Sequence, residues 1–222
     1  MTDQLTDVEA RVLGVLIEKE LSTPEYYPLS LNALTNACNQ TSNRDPITHY
    51  HETTVIHALE SMRVRSLVRA VTQSGARATK YRHLMGETMG LVARQTALLS
   101  VMMLRGPQTL AELKTRTARL TTLESLEEVE TVLEVMMARQ PTPLVTRLPR
   151  RPGQKEVRYA HLLSGEVTAD MSEPVAAPRA HPDADRVDRP DRVGALEEAV
   201  EELKKEVADL RQQLESFRKQ FE

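Results

Sequence analysis

The sequence predicts a mainly α chain with small β-hairpin wings, an α+β fold arranged as two similar halves and a separate tail. Three observations predict it. Apolar residues recur at helical spacing in three blocks, followed by a short alternating pair of segments, and this order occurs twice. The two alternating pairs end in similar words, Tyr81-Arg-His-Leu84 and Tyr159-Ala-His-Leu162. The last 30 residues then turn strictly periodic at spacings of three and four.

Taken in order, Thr6-Asp-Val-Glu9 is a capping-box pattern, and Val8, Val12, Leu13, Leu16 and Ile17 follow it at helical spacing. A helix over 7–20 is expected, broken by Pro24 and Pro28. Ser30 can cap a short second helix carrying Asn32, Asn36 and Asn39, with Leu31, Leu34 and Cys38 on the opposite phase. After a turn at 40–48, Val55, Ile56, Leu59 and Met62 mark a third helix over about 51–63. Residues 66–71 and 77–84 alternate as two strands around the turn Thr72-Gln-Ser-Gly-Ala. Helix, helix, turn, helix, hairpin is the order of a winged helix-turn-helix.

The second half repeats it. A helix over 88–105 ends at Arg105-Gly106-Pro107. Thr109-Leu-Ala-Glu112 and Ser125-Leu-Glu-Glu128 are further capping boxes, starting helices to about 117 and about 139. Strands over 144–148 and 156–163 flank the turn Pro149-Arg-Arg-Pro-Gly-Gln. The expected organisation is two tandem winged helix-turn-helix domains, 1–86 and 87–165, a disordered linker over 166–192 rich in Pro, Asp, Arg and Ala, and a coiled-coil helix over 193–222. In that helix Val200, Leu203, Val207, Leu210, Leu214 and Phe217 form the seam expected to make a homodimer. Val mostly at a and Leu mostly at d favours parallel two-stranded coils.

The net charge of −3 hides segregation. Residues 1–62 carry three basic and nine acidic side chains, whereas 63–85 carry six basic and no acidic ones. Such a patch can steer a polyanion. The scarcity of aromatics, with no Trp, argues against single-strand binding by base stacking. No apolar run approaches a membrane span and no signal peptide is read, so a cytoplasmic chain without membrane contact is expected. Its single cysteine, Cys38, falls on the apolar phase and reads as a core thiol. His49, His51 and His57 lack metal-ligand spacing, and no nucleotide-binding or nucleophile-elbow motif is present. Neither a metal, a cofactor nor an enzymatic activity is expected.

In a helix-turn-helix the second helix of the motif enters the major groove, N-terminal residues first. Asn43, Arg44, His51 and Thr54 are therefore the expected contacts at its entry, with Arg77, Lys80 and Arg82 on the hairpin for phosphates. Asn43 and Arg44 are the expected exposed pair of the asparagine-rich stretch, while Asn39 is expected at a left-handed helix end. In the second half the equivalent helix carries Glu127, Glu128, Glu130 and Glu134, which phosphates repel. Only the basic tip, with Arg150 and Arg151, is expected to track a nucleic-acid backbone there, and the helix is expected to serve a protein partner. Two functions follow: a DNA-binding protein acting on double-stranded DNA as a transcriptional regulator, or a winged-helix protein-interaction scaffold without DNA binding.

Several long words carry a resemblance. Thr23-Pro-Glu-Tyr-Tyr-Pro-Leu-Ser-Leu-Asn-Ala-Leu34, Ala37-Cys-Asn-Gln40, Ser42-Asn-Arg-Asp-Pro46, Leu104-Arg-Gly-Pro-Gln-Thr109 and the stretch from Leu148 to Leu162 are similar to the YceH-like family of bacterial proteins. The resemblance covers about 5–165 and implies two tandem winged-helix domains; it implies no activity. Thr41 departs from it, standing where a Lys is expected, as does Thr48-His-Tyr-His51, which replaces a more aliphatic and acidic stretch.

Overall fold

The computed structural model describes residues 4–72, 78–150 and 153–166. They belong to a compact unit over 1–173; a second unit, 174–222, lies outside the described residues, as do the expected linker from residue 167 onward and the coiled-coil seam. The described chain is a mixed α and β structure of seven helices and two small antiparallel sheets.

Helix α1, Asp7–Ser22, starts at the expected capping box. Thr6 N–H donates to Glu9 Oε2 at 2.8 Å, and Glu9 N–H donates back to Thr6 Oγ1 at 3.3 Å. A single 3-10 turn, Pro24–Tyr26, leads to strand β1, Leu29–Ser30, which the sequence reading lacks. Helix α2, Leu31–Cys38, is capped by Ser30, whose hydroxyl accepts from Ala33 N–H. Helix α3, Glu52–Val64, follows a polar loop. Strands β2, Val68–Val71, and β3, Lys80–His83, complete a sheet in the order β1-β3-β2.

Helix α4, Met85–Met89, ends at Gly90 in the left-handed conformation, φ 63°. That glycine divides the helix expected over 88–105, because its backbone turns where a helix would continue. Helix α5, Ala93–Arg105, restarts with the Gln95 side chain accepting from Val92 N–H at 3.1 Å. Helix α6, Leu110–Thr117, has the expected box, closed by Thr109 and Glu112 in both directions. Helix α7, Leu126–Met137, has half of one: Ser125 accepts from Glu128 N–H, but the Glu128 carboxylate takes Glu124 N–H instead. Strands β4, Val145–Arg147, and β5, Tyr159–His161, pair antiparallel.

The internal echo has a structural meaning. Tyr81 pairs with Leu29, one residue ahead of the cap of α2, and Tyr159 pairs with Gln108, one residue ahead of the cap of α6. Both tyrosines are buried. In each half the returning strand is thus pinned to the entry of the second helix. The halves also share one apolar core. Helix α1 is buried from Glu9 through Glu18, because α2 and α3 cover one side and α5 the other. Gly14 lets α5 approach: a Cβ there would stand 3.1 Å from Leu104 Cγ and Met103 Cβ.

Candidate nucleic-acid interface

The asparagine-rich stretch and its loop are held from below by two arginines. Arg11, on α1 and 4% exposed, donates to Pro46 O at 2.6 Å and Cys38 O at 3.4 Å. Arg44 donates to Ala37 O, Asn43 O and Gln40 Oε1, and to both Glu18 oxygens at 2.6 and 3.3 Å. Its side chain is fully buried, so the expected exposure of Arg44 is corrected. Five donors in a rigid fork close the loop, and no edge is left for a phosphate.

Asn43 is corrected with it. This residue, not Asn39, takes the left-handed conformation, φ 61°, and its side-chain oxygen accepts from Arg105 at the end of α5. Asn39 ends α2 at φ −89° and pairs with the backbone of Tyr50 in both directions, at 2.7 and 2.8 Å. Asn32 and Asn36 stay exposed, bonded to one another and to Glu52. Cys38 is buried, as its apolar phase indicates, and burial pushes its thiol up to about 12.

The entry of α3 lies at the surface. His51 is its N-cap residue, exposed and without a side-chain capping bond, and Thr54 is half-buried one turn on. The exposed side of α3 adds Glu52, Thr53, His57, Glu60 and Arg63. His57 Nδ1 lies 3.7 Å from Glu60 Oε2.

The hairpin gathers positive charge on one side. Val68 and Tyr81 are buried, so pleat alternation places Arg69, Val71, Lys80 and Arg82 on the opposite face. Arg69 stands opposite Arg82, and Val71 opposite Lys80. Arg82 is paired with Glu87; Arg69 has no ion pair among the described residues. Arg69 is absent from the expected contacts, although strand alternation in phase with Arg82 is the signal that finds it. Arg63 and Arg69 flank a groove of about 770 Å³ that Glu60 and Glu87 also line. Arg77 falls outside the described residues.

In the second half Arg150 is exposed and Arg151 falls outside the described residues. Helix α7 presents Glu127, Thr131 and Glu134 to solvent beside Leu126 and Val135, 42% and 57% exposed. Among the described residues no group of three or more His, Cys, Asp or Glu is placed to hold a metal, and no helix is long and apolar enough to cross a membrane.

Fold and surface together define an α+β protein of two helix–helix–helix–hairpin units around a joint core, with a cationic sheet face on the first. The chain belongs to a bacterial family: residues 5–154 match the family described as protein of unknown function, DUF480. A UPF0502 protein of Pelobacter propionicus is 49% identical over 218 residues, 98% of both chains. One of Geotalea uraniireducens is 48% identical over 225 residues, the full length of both. The UPF0502 protein VVA1225 of Vibrio vulnificus is 44% identical over 221 residues, 98% of this chain and all of the relative. The YceH-like resemblance is consistent with this membership.

Proposed function

We propose that the chain is a cytoplasmic, duplex-DNA-binding transcriptional regulator that uses its first unit as a winged helix-turn-helix. The observation that carries the reading is the solvent face of the first sheet, where Arg69, Lys80 and Arg82 sit side by side. Cations gathered on one face of a strand pair can neutralise phosphates, and such contacts position a protein without reading sequence. Helix α3 is the element for the groove, entered through His51 and Thr54, with Thr53 and His57 along its exposed side. Arg77, Arg150 and Arg151 extend the same reading to the hairpin tips. Arg44 has no part in it, and Asn43 acts by shaping the loop ahead of α3. Dimerisation through Val200, Leu203, Val207, Leu210, Leu214 and Phe217 would present two such units to one duplex; a chain lacking 193–222 should then sediment as a monomer.

The test is anisotropy with a labelled random duplex across a salt series. About three phosphate contacts give a log–log slope of roughly −2.7, and each contact removed flattens it by about 0.9. Arg69→Ala with Lys80→Ala should weaken binding on every sequence alike. Absence of binding at low salt overturns the proposal.

A second reading rests on α7. Its exposed Leu126 and Val135 stand among Glu127, Glu130 and Glu134, a surface that repels DNA and suits a basic, partly apolar protein partner. On that reading the fold is an interaction scaffold, and Val135→Lys would abolish capture of the partner without changing stability.

A further inference from the structure

A second cationic site lies away from the hairpin. A pocket of about 340 Å³ opens between α1, α5 and α6, and its lining includes Glu18, Asn43, Ser100, Arg105, Arg116 and Arg119. Its charges do not balance. Glu18 is already bonded to Arg44 and Arg119. Glu112, 3.5 Å from Arg116, is shared with Arg158 at 2.9 Å. Arg105 has a neutral partner, the side-chain oxygen of Asn43. Burial, then repulsion from Arg116, Arg119 and Arg44, holds Arg105 below its ordinary value. Four guanidiniums thus crowd around a single carboxylate and a share of another.

Ser100 points to what is missing. It is fully buried on α5, lines the same pocket, and its hydroxyl has no hydrogen-bond partner. A buried hydroxyl without a partner is rare, because its desolvation goes uncompensated. An acceptor entering the pocket would supply a partner for it and counter-charge for Arg105, Arg116 and Arg119 together.

We propose that this pocket binds a small phosphorylated molecule, its phosphate held by Arg105, Arg116 and Arg119 with Ser100 as a fourth donor. Guanidinium forks match the spacing of phosphate oxygens, and a dianion answers the excess charge better than a single carboxylate. The volume, at the lower end of ligand pockets, has room for a phosphate and a small organic body. The proposed DNA face uses none of the four donors Ser100, Arg105, Arg116 and Arg119.

The test is calorimetric titration and thermal melting of the full chain with inorganic phosphate, pyrophosphate and adenosine monophosphate. Sodium chloride holds ionic strength constant. Saturable binding at one site per chain is expected, with a rise in melting temperature. Arg105→Gln and Arg116→Gln should each weaken it about tenfold or more, as loss of a charge-assisted contact does. Arg116 is half-exposed, so its variant keeps the test open if Arg105→Gln fails to fold. Ser100→Ala should weaken the phosphate response while leaving the free protein as stable as before, which a purely structural serine would not do. Arg69→Ala, on the hairpin and outside the pocket lining, should leave this phosphate binding unchanged even where it weakens binding to duplex DNA. Tighter binding of the nucleotide than of inorganic phosphate identifies an esterified ligand, and equal binding identifies free phosphate. A response matched by chloride alone, or unchanged in both arginine variants, overturns the site.

Discussion

Arg44 and Glu18 form a buried ion pair, 2.6 Å between Nη2 and Oε2, with side chains 0% and 2% exposed. It ties the loop ahead of α3 to the body of α1. Burial alone would raise the Glu18 carboxyl, but the bonds and charge of Arg44, with Arg119 and Lys19, hold it below its ordinary value of 4.5. Glu18→Gln leaves a buried guanidinium without its counter-charge and should cost roughly 3–5 kcal/mol in urea unfolding. Its pH signature has a fixed sign. The folded carboxyl binds protons less readily than the unfolded one, so the stabilisation is present above 4.5 and is lost as pH falls below it. The variant should show a shallower acid slope.

His161 acts in a different window. The residue is partly exposed, yet its Nδ1 is buried and has no partner. Burial pushes the imidazole from 6.5 down to about 4, against a weaker pull from Asp7. Below 6.5 the unfolded chain takes up a proton that the folded chain refuses. Stability should therefore fall with pH from 6.5 toward 4, by at most about 1.4 kcal/mol per unit. His161→Gln should flatten the slope above 4.5, where Glu18 does not yet contribute.

Gly14 tests the joint core. Gly14→Val inserts branched bulk where a Cβ already meets Leu104 and Met103 at 3.1 Å, and should destabilise by roughly 1–3 kcal/mol. Gly14→Ala sets a gain in helix propensity of about 0.5–1 kcal/mol against the same contact, so its change should be the smaller. Thermal melting of both variants gives the comparison.

Cys38 should be inert in the folded protein. Its burial and its thiol at about 12 leave almost no thiolate at mildly alkaline pH. Ellman's reagent should release no colour from the native chain and one equivalent from the chain unfolded in guanidinium. Rapid labelling of the native chain would place Cys38 at the surface.

Features encoded within a few residues were legible in the sequence. The boxes at Thr6 and Thr109 close over three positions, and both reciprocal pairs are present. Apolar periodicity located the helices, and the tyrosine echo located the repeat. What escaped depends on distant partners. Strand β1 is two residues long, too short for alternation, and exists because β3 comes to it from far along the chain. Arg44 looked like a surface cation because its neighbours are polar, and Glu18, 26 positions away, decides its burial. Arg105 and Arg119 likewise gain meaning only where α1, α5 and α6 meet. Gly90 falls inside the helix expected over 88–105, and its left-handed turn, set by the local backbone and not by apolar spacing, ends one helix there.

Helix α1 belongs to both halves of the described body at once, since its buried residues run from Glu9 through Glu18. Neither half can open without exposing the core it shares with the other. The described body should therefore unfold in one cooperative transition, not two, with the amides of α1 exchanging with deuterium only when the whole body unfolds. Half of this body, expressed by itself, would carry a sticky, half-naked helix face in place of a partner.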